Sequence, residues 1–545
     1  MRRQLTFLYI LLAFTLAMTS CLDEHPRDQV TADDIYGTPS GIYVNAVASL
    51  YNYIGGSQNS EGLQGTCRGI YDYNTLTTDE AMIPIRGGDW YDGALWENMY
   101  QHKWTASDTY LYQVWKYLYR VIVLANQSLE VIDSHSSLLT PAQQAEYTAE
   151  VRAVRALFYY YAMDMFGRVP LLTSANTSVG SVRQAQRSEV FRFVFSELQQ
   201  VLPLLPAERS NYEGNYYGRV TRPVAFFLLA KLALNAAVYE NDNWTDGFML
   251  DGRALYFQVD GRQMNAWQAC AYYCEQLRSM GYRLEERYEA NFAVHNENSQ
   301  ENIFTIPMNK MMYSNQLWYI FRSIHYKHGG AYGWGTENGA SATLTTMRAY
   351  GYGSGAVDRR FANNFFADTV RVDGLMVTLD DGSPLVYRPL ELLPNLTDSP
   401  YKQTAGARMR KYEIDRTAYS DGRLCDNDIV LFRYADVLLM EAEAKTRNGE
   451  DGSAQLHEVR RRAQMADIPC TLDNILAERL RELVWEGWRR QDLVRYGLYH
   501  RAYDQRTPQP DESDAHTTVF PIPQKCIDLN KQLKQNPGYV EPEGH

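Results

Sequence analysis

The 545-residue chain carries 53 Lys and Arg against 65 Asp and Glu, a net charge of −12. That balance argues against a nucleic-acid binder, which calls for a basic surface or stripe, and the length allows one large core or several ordinary ones. Tyrosine is the unusual count: 41 Tyr and 10 Trp stand against 19 Phe, and both combine an apolar ring with a polar handle suited to wet binding surfaces.

Arg2 and Arg3 precede an apolar run over residues 5–18, broken only by Thr6 and Thr15. As a helix it would reach roughly 20 Å at about 1.5 Å per residue, short of a bilayer core of about 30 Å. It reads as a signal peptide over residues 1–20. Thr19 and Ser20 then stand before Cys21, the arrangement of a bacterial lipobox, so Cys21 is expected to be lipidated as the mature first residue. Residues 21–34 read as a tether. The other cysteines, Cys67, Cys270, Cys274, Cys425, Cys470 and Cys526, form no CxxC pair. Cys270 and Cys274 share a helical face and read as small core residues rather than metal ligands.

Helical periodicity appears at 41–54, with Tyr43, Val47, Leu50 and Ile54 on one face, and again at 108–132. The strongest helix follows Thr140, an N-cap with Pro141 at the first position and Gln143 completing a capping box. Val151, Val154, Phe158, Tyr161 and Met165 form its apolar stripe, and Gly167 and Pro170 end it. Arg152 and Arg155 are expected to pair with carboxylates on neighbouring helices. Further helices are predicted at 187–202, 222–240, 265–280, 429–448, 453–465 and 472–496, with an Asn448-Gly449 turn. Residues 55–104 and 282–428 lose the helical period, with short strands expected at 302–306 and 375–379. The tail, 498–545, is Pro-punctuated and reads as extended in part. The fold class predicted is mainly α: a tetratricopeptide-like helix-pair scaffold (41–54, 108–280, 429–497) carrying a loop-rich, partly β, ligand-facing subdomain (55–104 and 282–428), all in one domain over 35–545.

Four blocks in order resemble the SusD/RagB family. They are VRAVRALFYYYAMDMFGRVPLLT (151–173), LFRYADVLLMEAEAKTRNG (431–449), ILAERLRELVWEGWRRQDLVRYG (475–497) and FPIPQKCIDLNKQLKQNPGY (520–539). Met163 or Asp164 stands where the family pattern has Leu, and Lys525-Cys526 replaces its commoner acidic residue. Asp23 and Glu24, just after Cys21, are similar to the surface-export signal of Bacteroidetes-type lipoproteins. The resemblance implies a lipid-anchored, surface-exposed protein of the outer membrane. It implies a hinged lid on a SusC-like TonB-dependent transporter, binding a nutrient, usually a glycan and sometimes a peptide, without catalysis or cofactor.

Two clusters are candidate binding residues. Thr78-Asp79-Glu80 and the stretch from Arg86 to Asp92 also resemble a family segment at the head of the binding region. Gly87 and Gly88 allow an exposed tight turn that would present Trp90 and Tyr91. An indole can stack on a pyranose ring while Asp89, Asp92 or Arg86 hydrogen-bonds its hydroxyls. The second cluster is Trp318, Tyr332, Trp334 and Asn338, where glycines on both sides of Trp334 are expected to leave its ring accessible. Catalytic patterns fail. Gly353-Ser354-Gly355 lacks the spacing of a nucleophile elbow. Gly333 and Gly335 lack the third glycine of a dinucleotide loop. Residues 242–253 miss two calcium-loop positions. His325 and His328 have no third metal ligand in view. Two other readings stay open: a surface glycoside hydrolase, and a peptide-binding lid of the RagB type.

Overall fold

The computed structural model describes residues 35–247 and 249–539; the signal peptide, the tether and Cys21 lie outside them. The first helical segment runs from Pro39 to Tyr51, with a π-helical middle over Tyr43–Ala48. Helix α1 (Thr109–Ser134) starts where the Asp108 carboxylate accepts from the backbone N–H of Tyr110 and Leu111. Helix α2 (Pro141–Phe166) carries the expected capping box: Thr140 Oγ1 accepts from Gln143 N, and Gln143 Oε1 accepts from Thr140 N. From Ala149 to Phe166 every residue of α2 except Arg152 is buried, because α1 packs on one side and α3 (Arg187–Val201) on the other. Arg152 and Arg155 both pair with Glu197 of α3.

The array continues through α4 (Arg222–Leu234), α5 (Ala266–Ser279), α6 (Tyr434–Asn448), α7 (Ser453–Arg462) and α8 (Leu472–Leu483). From α1 to α6 each helix packs against the next, and α6 then meets both α7 and α8. Cys270 and Cys274 are buried and free in α5. Asn265 caps α5 with Gln268 in a second capping box.

Four expectations are corrected. Residues 429–433 are a strand, not the start of a helix. The run Ile-Val-Leu-Phe-Arg is buried at every position and pairs antiparallel with the predicted strand at 302–306, here β1 (Asn302–Ile306) and β2 (Ile429–Arg433). Phe432 stacks on Phe227 of α4 at 4.3 Å and 13°. The predicted helix 472–496 is two: α8 stops at Leu483, Trp485 and Gly487 take φ of 67° and 73°, and α9 (Arg489–Arg495) follows. Helix 222–240 also breaks, at Asn235, before a last turn over Ala236–Tyr239. The strand expected at 375–379 is only Leu375–Met376, in a hairpin with Arg371–Val372.

Residues 55–104 and 282–428 are held together by short strands from distant parts of the chain. Ala81–Met82 pairs with Ser341–Ala342, Ala342 bridges to Ala407, and Arg408–Met409 pairs with Phe365–Phe366.

A network of buried charge joins this part to the helices. Arg433 at the end of β2 donates to Glu301 beside β1, to Glu482 of α8 and to Glu486, all at most 2% exposed in their side chains. Glu482 also accepts from Arg360 and Arg462. Farther along, Asp492 of α9 pairs with Arg479 of α8, and Arg495 pairs with Glu443 of α6. Removing one member of such a buried pair leaves an uncompensated charge. Glu482→Ala is therefore expected to lower unfolding stability by about 3–5 kcal/mol. Glu61→Ala, which breaks the half-exposed Arg120 pair, should cost no more than about 1 kcal/mol by the same denaturant titration.

Burial pushes Glu80 up to about 8 and Asp428 up to about 7. A carboxyl whose pKa is raised by folding binds its proton more tightly in the folded state. Its stabilisation is full below the ordinary carboxylate range and fades as pH rises toward the folded value. Burial also acts on Glu443 and Glu478, but Arg495 and Arg447 outweigh it at the first, Arg360 and Arg481 at the second, and both are held at about 2. Their stabilisation is lost as pH falls from the ordinary range toward 2. Glu80→Gln should flatten the decline in stability between about pH 5 and pH 8; urea midpoints running parallel to wild type over that range would contradict it.

Candidate functional site

The antiparallel pairing of Ala81–Met82 with Ser341–Ala342 decides where the two predicted clusters go. The chain leaving Met82 and the chain arriving at Ser341 lie at the same end of the pair, so residues 86–92 and 332–339 meet. Gly87 and Gly88 do form a tight turn, closed by Arg86 N donating to Asp89 O at 3.0 Å. Beyond it Trp90, Asp92 and Ala94 take φ of 64°, 41° and 66°, a left-handed conformation costing roughly 1–2 kcal/mol per non-glycine residue. Strain of this kind collects at functional loops.

Trp90 is half-buried. Its indole N–H donates to Glu337 O at 2.8 Å, its ring meets Trp96 edge-on at 5.7 Å, and it lies so close over Gly339 that a Cβ there would come within 2.5 Å of the ring. Tyr91 beside it is 57% exposed. Asp89 is exposed and accepts from the Tyr326 hydroxyl at 2.7 Å. Trp334 and Tyr332 form a tilted pair at 5.2 Å, and the Arg416 guanidinium sits over Tyr332 at 4.8 Å. The flanking glycines do not leave Trp334 open as expected: it is half-buried, packed against Gly422, with Gly335 N donating to Asp421 Oδ1 at 2.8 Å. Trp318 is half-buried too, covered by Arg423 at 4.8 Å.

Arg86 and Asn338 are corrected from ligand contacts to internal supports. Arg86 is 1% exposed and donates to Lys402 O, Gly339 O, Ser341 Oγ and Ala405 O. Burial, reinforced by the nearby Arg408, pushes its pKa well below the usual guanidinium value. Asn338 is fully buried, donates to Gln403 and accepts from Arg408. The physical reason is the same for both: loop carbonyls folded inward need donors, and these side chains supply or orient them. His325 and His328 are buried as well. His325 Nδ1 accepts from Lys327 N, and His328 Nδ1 faces the Tyr387 hydroxyl. Burial and neighbouring positive charge hold them neutral, at about 4 and about 3. Among the described residues no group of three or more His, Cys, Asp or Glu could hold a metal ion.

Two participants were not singled out from the sequence. Tyr326, 41% exposed, positions Asp89 from 237 residues away, a link no local pattern carries. Glu337, beside Trp90, has its carboxyl pKa raised by burial; its position next to the Trp334 cluster was the one signal for it. The two loops that meet here carry Trp90, Tyr91, Tyr332 and Trp334, with Tyr326 beside them, as ring-bearing groups and Asp89 and Glu337 as carboxylates, over the buried Arg86 and Arg408.

Residues 208–539 match the model of the SusD family, and residues 71–234 match the model described as starch-binding associating with outer membrane. The starch-binding protein SusD of Bacteroides thetaiotaomicron is 23% identical over 98% of this chain and 99% of that protein. A SusD-like protein of Bacteroides ovatus is 25% identical over 90% of this chain and 81% of that one. Among solved structures, surface glycan-binding protein A of Bacteroides thetaiotaomicron in complex with laminarihexaose aligns with a TM-score of 0.68 at 22% identity, covering 92% of this chain and 99% of that one. A SusD-like carbohydrate-binding protein of Bacteroides fragilis aligns at 0.70 and 17% identity, over 92% and 100%. With the family model matched over more than half its length, the chain belongs to the SusD family.

Proposed function

We propose that this protein binds a glycan at the Trp90–Trp334 surface and delivers it to a SusC-like TonB-dependent transporter. In this reading it is held at the outer membrane, facing the medium, by lipid on Cys21. The observation that carries the proposal is the pairing of aromatic rings with hydrogen-bonding groups on preorganised loops. The rings of Trp90 and Trp334 are fixed by close backbone contacts to Gly339 and Gly422, so little freedom is lost on binding. Relatives named for starch, glycan and laminarin support a saccharide as the ligand. Exposed Tyr91 and Asp89 supply a further ring and an acceptor. Lipid anchoring would raise the effective concentration at the transporter, where the protein acts as a hinged lid that closes on captured ligand.

Binding without hydrolysis is the proposed chemistry. Asp89 precedes Trp90 and the backbone carbonyl of Glu337 accepts from its indole; an enzyme would use two nearby carboxylates as an acid and base pair, so a direct assay is informative. Purified protein should release no reducing sugar from any glycan it binds; release lost in Glu337→Gln would make it a hydrolase. Trp90→Ala and Trp334→Ala should each weaken binding about tenfold, close to 1.4 kcal/mol, while melting cooperatively. Unchanged affinity in both by isothermal titration would remove the site from this surface, and titration with peptide digests distinguishes a peptide-binding lid.

A further inference from the structure

We propose a second saccharide site on the helical side of the molecule, taking a neutral sugar; the ligand class rests on the glycan reading above. A cavity of about 520 Å³ lies between the helical segment Pro39–Tyr51, the turn at 214–219 and the chain leaving β1. Tyr43, Tyr51, Tyr217 and Tyr313 line it, with the amides of Asn52 and Asn215.

Two of the rings are fixed by hydrogen bonds within the protein. The Tyr51 hydroxyl donates to Glu150 at 2.5 Å and accepts from Val220 N at 2.9 Å. The Tyr217 hydroxyl donates to Asp428 at 2.6 Å. Gly218 allows the turn to approach Pro307, where a Cβ would come within 2.4 Å. Among the described residues that line it the one cation, Arg219, lies over Tyr43 at 4.9 Å and is paired with Glu146 and Glu150. A charged ligand would meet no unpaired opposite charge there.

Other groups are free. The hydroxyls of Tyr43 and Tyr313 and the side-chain amides of Asn52 and Asn215 make no hydrogen bond to any described residue. Met312 and Tyr313 of the lining are 75% and 41% exposed, and Met311, next to them in the chain, 74%, a run of apolar surface of the kind that marks binding sites. Flat ring faces beside unengaged hydroxyl and amide groups suit a sugar, which offers an apolar C–H face and a rim of hydroxyls. Asn315 lines this cavity, and the helix Tyr319–Ser323, whose Arg322 O lies against Gly339 under Trp90, starts four residues on, at most about 14 Å of chain. A long glycan engaging both sites gains through effective concentration.

Isothermal titration of wild type, Tyr313→Ala and the double variant Trp90→Ala/Trp334→Ala tests this. The probes are laminarihexaose, maltohexaose, cellohexaose and their parent polysaccharides. The expected result is a weak binding event that survives in the double variant and disappears when Tyr313→Ala is added. Tyr313→Ala alone should weaken the polysaccharide about tenfold and keep the Trp90-dependent event; its ring lies at the surface, and a cooperative melt shows that the fold is kept. Loss of all binding in the double variant, or unchanged polysaccharide affinity in Tyr313→Ala, overturns the second site and leaves the first intact. Silence of wild type toward every probe overturns both.

Discussion

The structure depends on one buried ion cluster. Arg433 closes β2 with its guanidinium among Glu301, Glu482 and Glu486, and so ties the two-stranded sheet to the end of α8 in one contact set. Glu482 draws in Arg360 and Arg462, which brings the 358–361 segment and α7 to the same point. Lys411 donates to Glu482 O, to Val484 O and to the Glu486 carboxylate, and so holds the backbone where α8 stops. Isolated, each of these charges would be very costly to bury; together every one has partners. The break between α8 and α9 falls inside the cluster: Trp485 and Gly487 take φ of 67° and 73°, Lys411 takes the carbonyls of Glu482 and Val484, and the Glu80 carboxyl accepts from Trp485 N.

The Trp90–Trp334 loops hang from that cluster through short strands. Arg408–Met409 pairs with Phe365–Phe366, a few residues from Arg360 on one strand and from Lys411 on the other. Ala407 bridges to Ala342, which pairs with Ala81. Each strand is too short to be stable alone, and the register is set by side chains with fixed internal partners, Arg86 and Arg408 among them. Trp90 and Trp334 are therefore positioned by contacts that no segment makes on its own. Such a surface can present rings at little entropic cost, which is what a weak, repeated sugar contact needs.

The helical scaffold was legible because its signals are local. Thr140 with Gln143 and Asn448-Gly449 after α6 act within one turn of chain. Arg152 and Arg155 were legible too, since charge on an otherwise apolar helix must find a partner, here Glu197. What failed was non-local. Ile429–Arg433 is a short apolar run whose period cannot separate strand from helix, and only β1 decides it. The break after Leu483 lies inside a continuous helical pattern, and buried charge far away in sequence overrides it. Asn338 and Arg86 read as exposed loop residues because Gly-rich loops usually carry polar groups outward; here the loop carbonyls turn in and take those groups with them. The Asp89–Tyr326 contact spans 237 residues and leaves no mark in either local sequence.

In the proposed function the ligand lies on the rings of the two loops that the pairing of Ala81–Met82 with Ser341–Ala342 joins. Hydroxyl-radical footprinting of the native protein, with and without a bound oligosaccharide, reads this without altering a residue. Protection concentrated at Trp90, Tyr91, Tyr332 and Trp334 is the predicted result. Protection elsewhere, with oxidation of Trp90 and Trp334 unchanged by a saturating ligand, would contradict it.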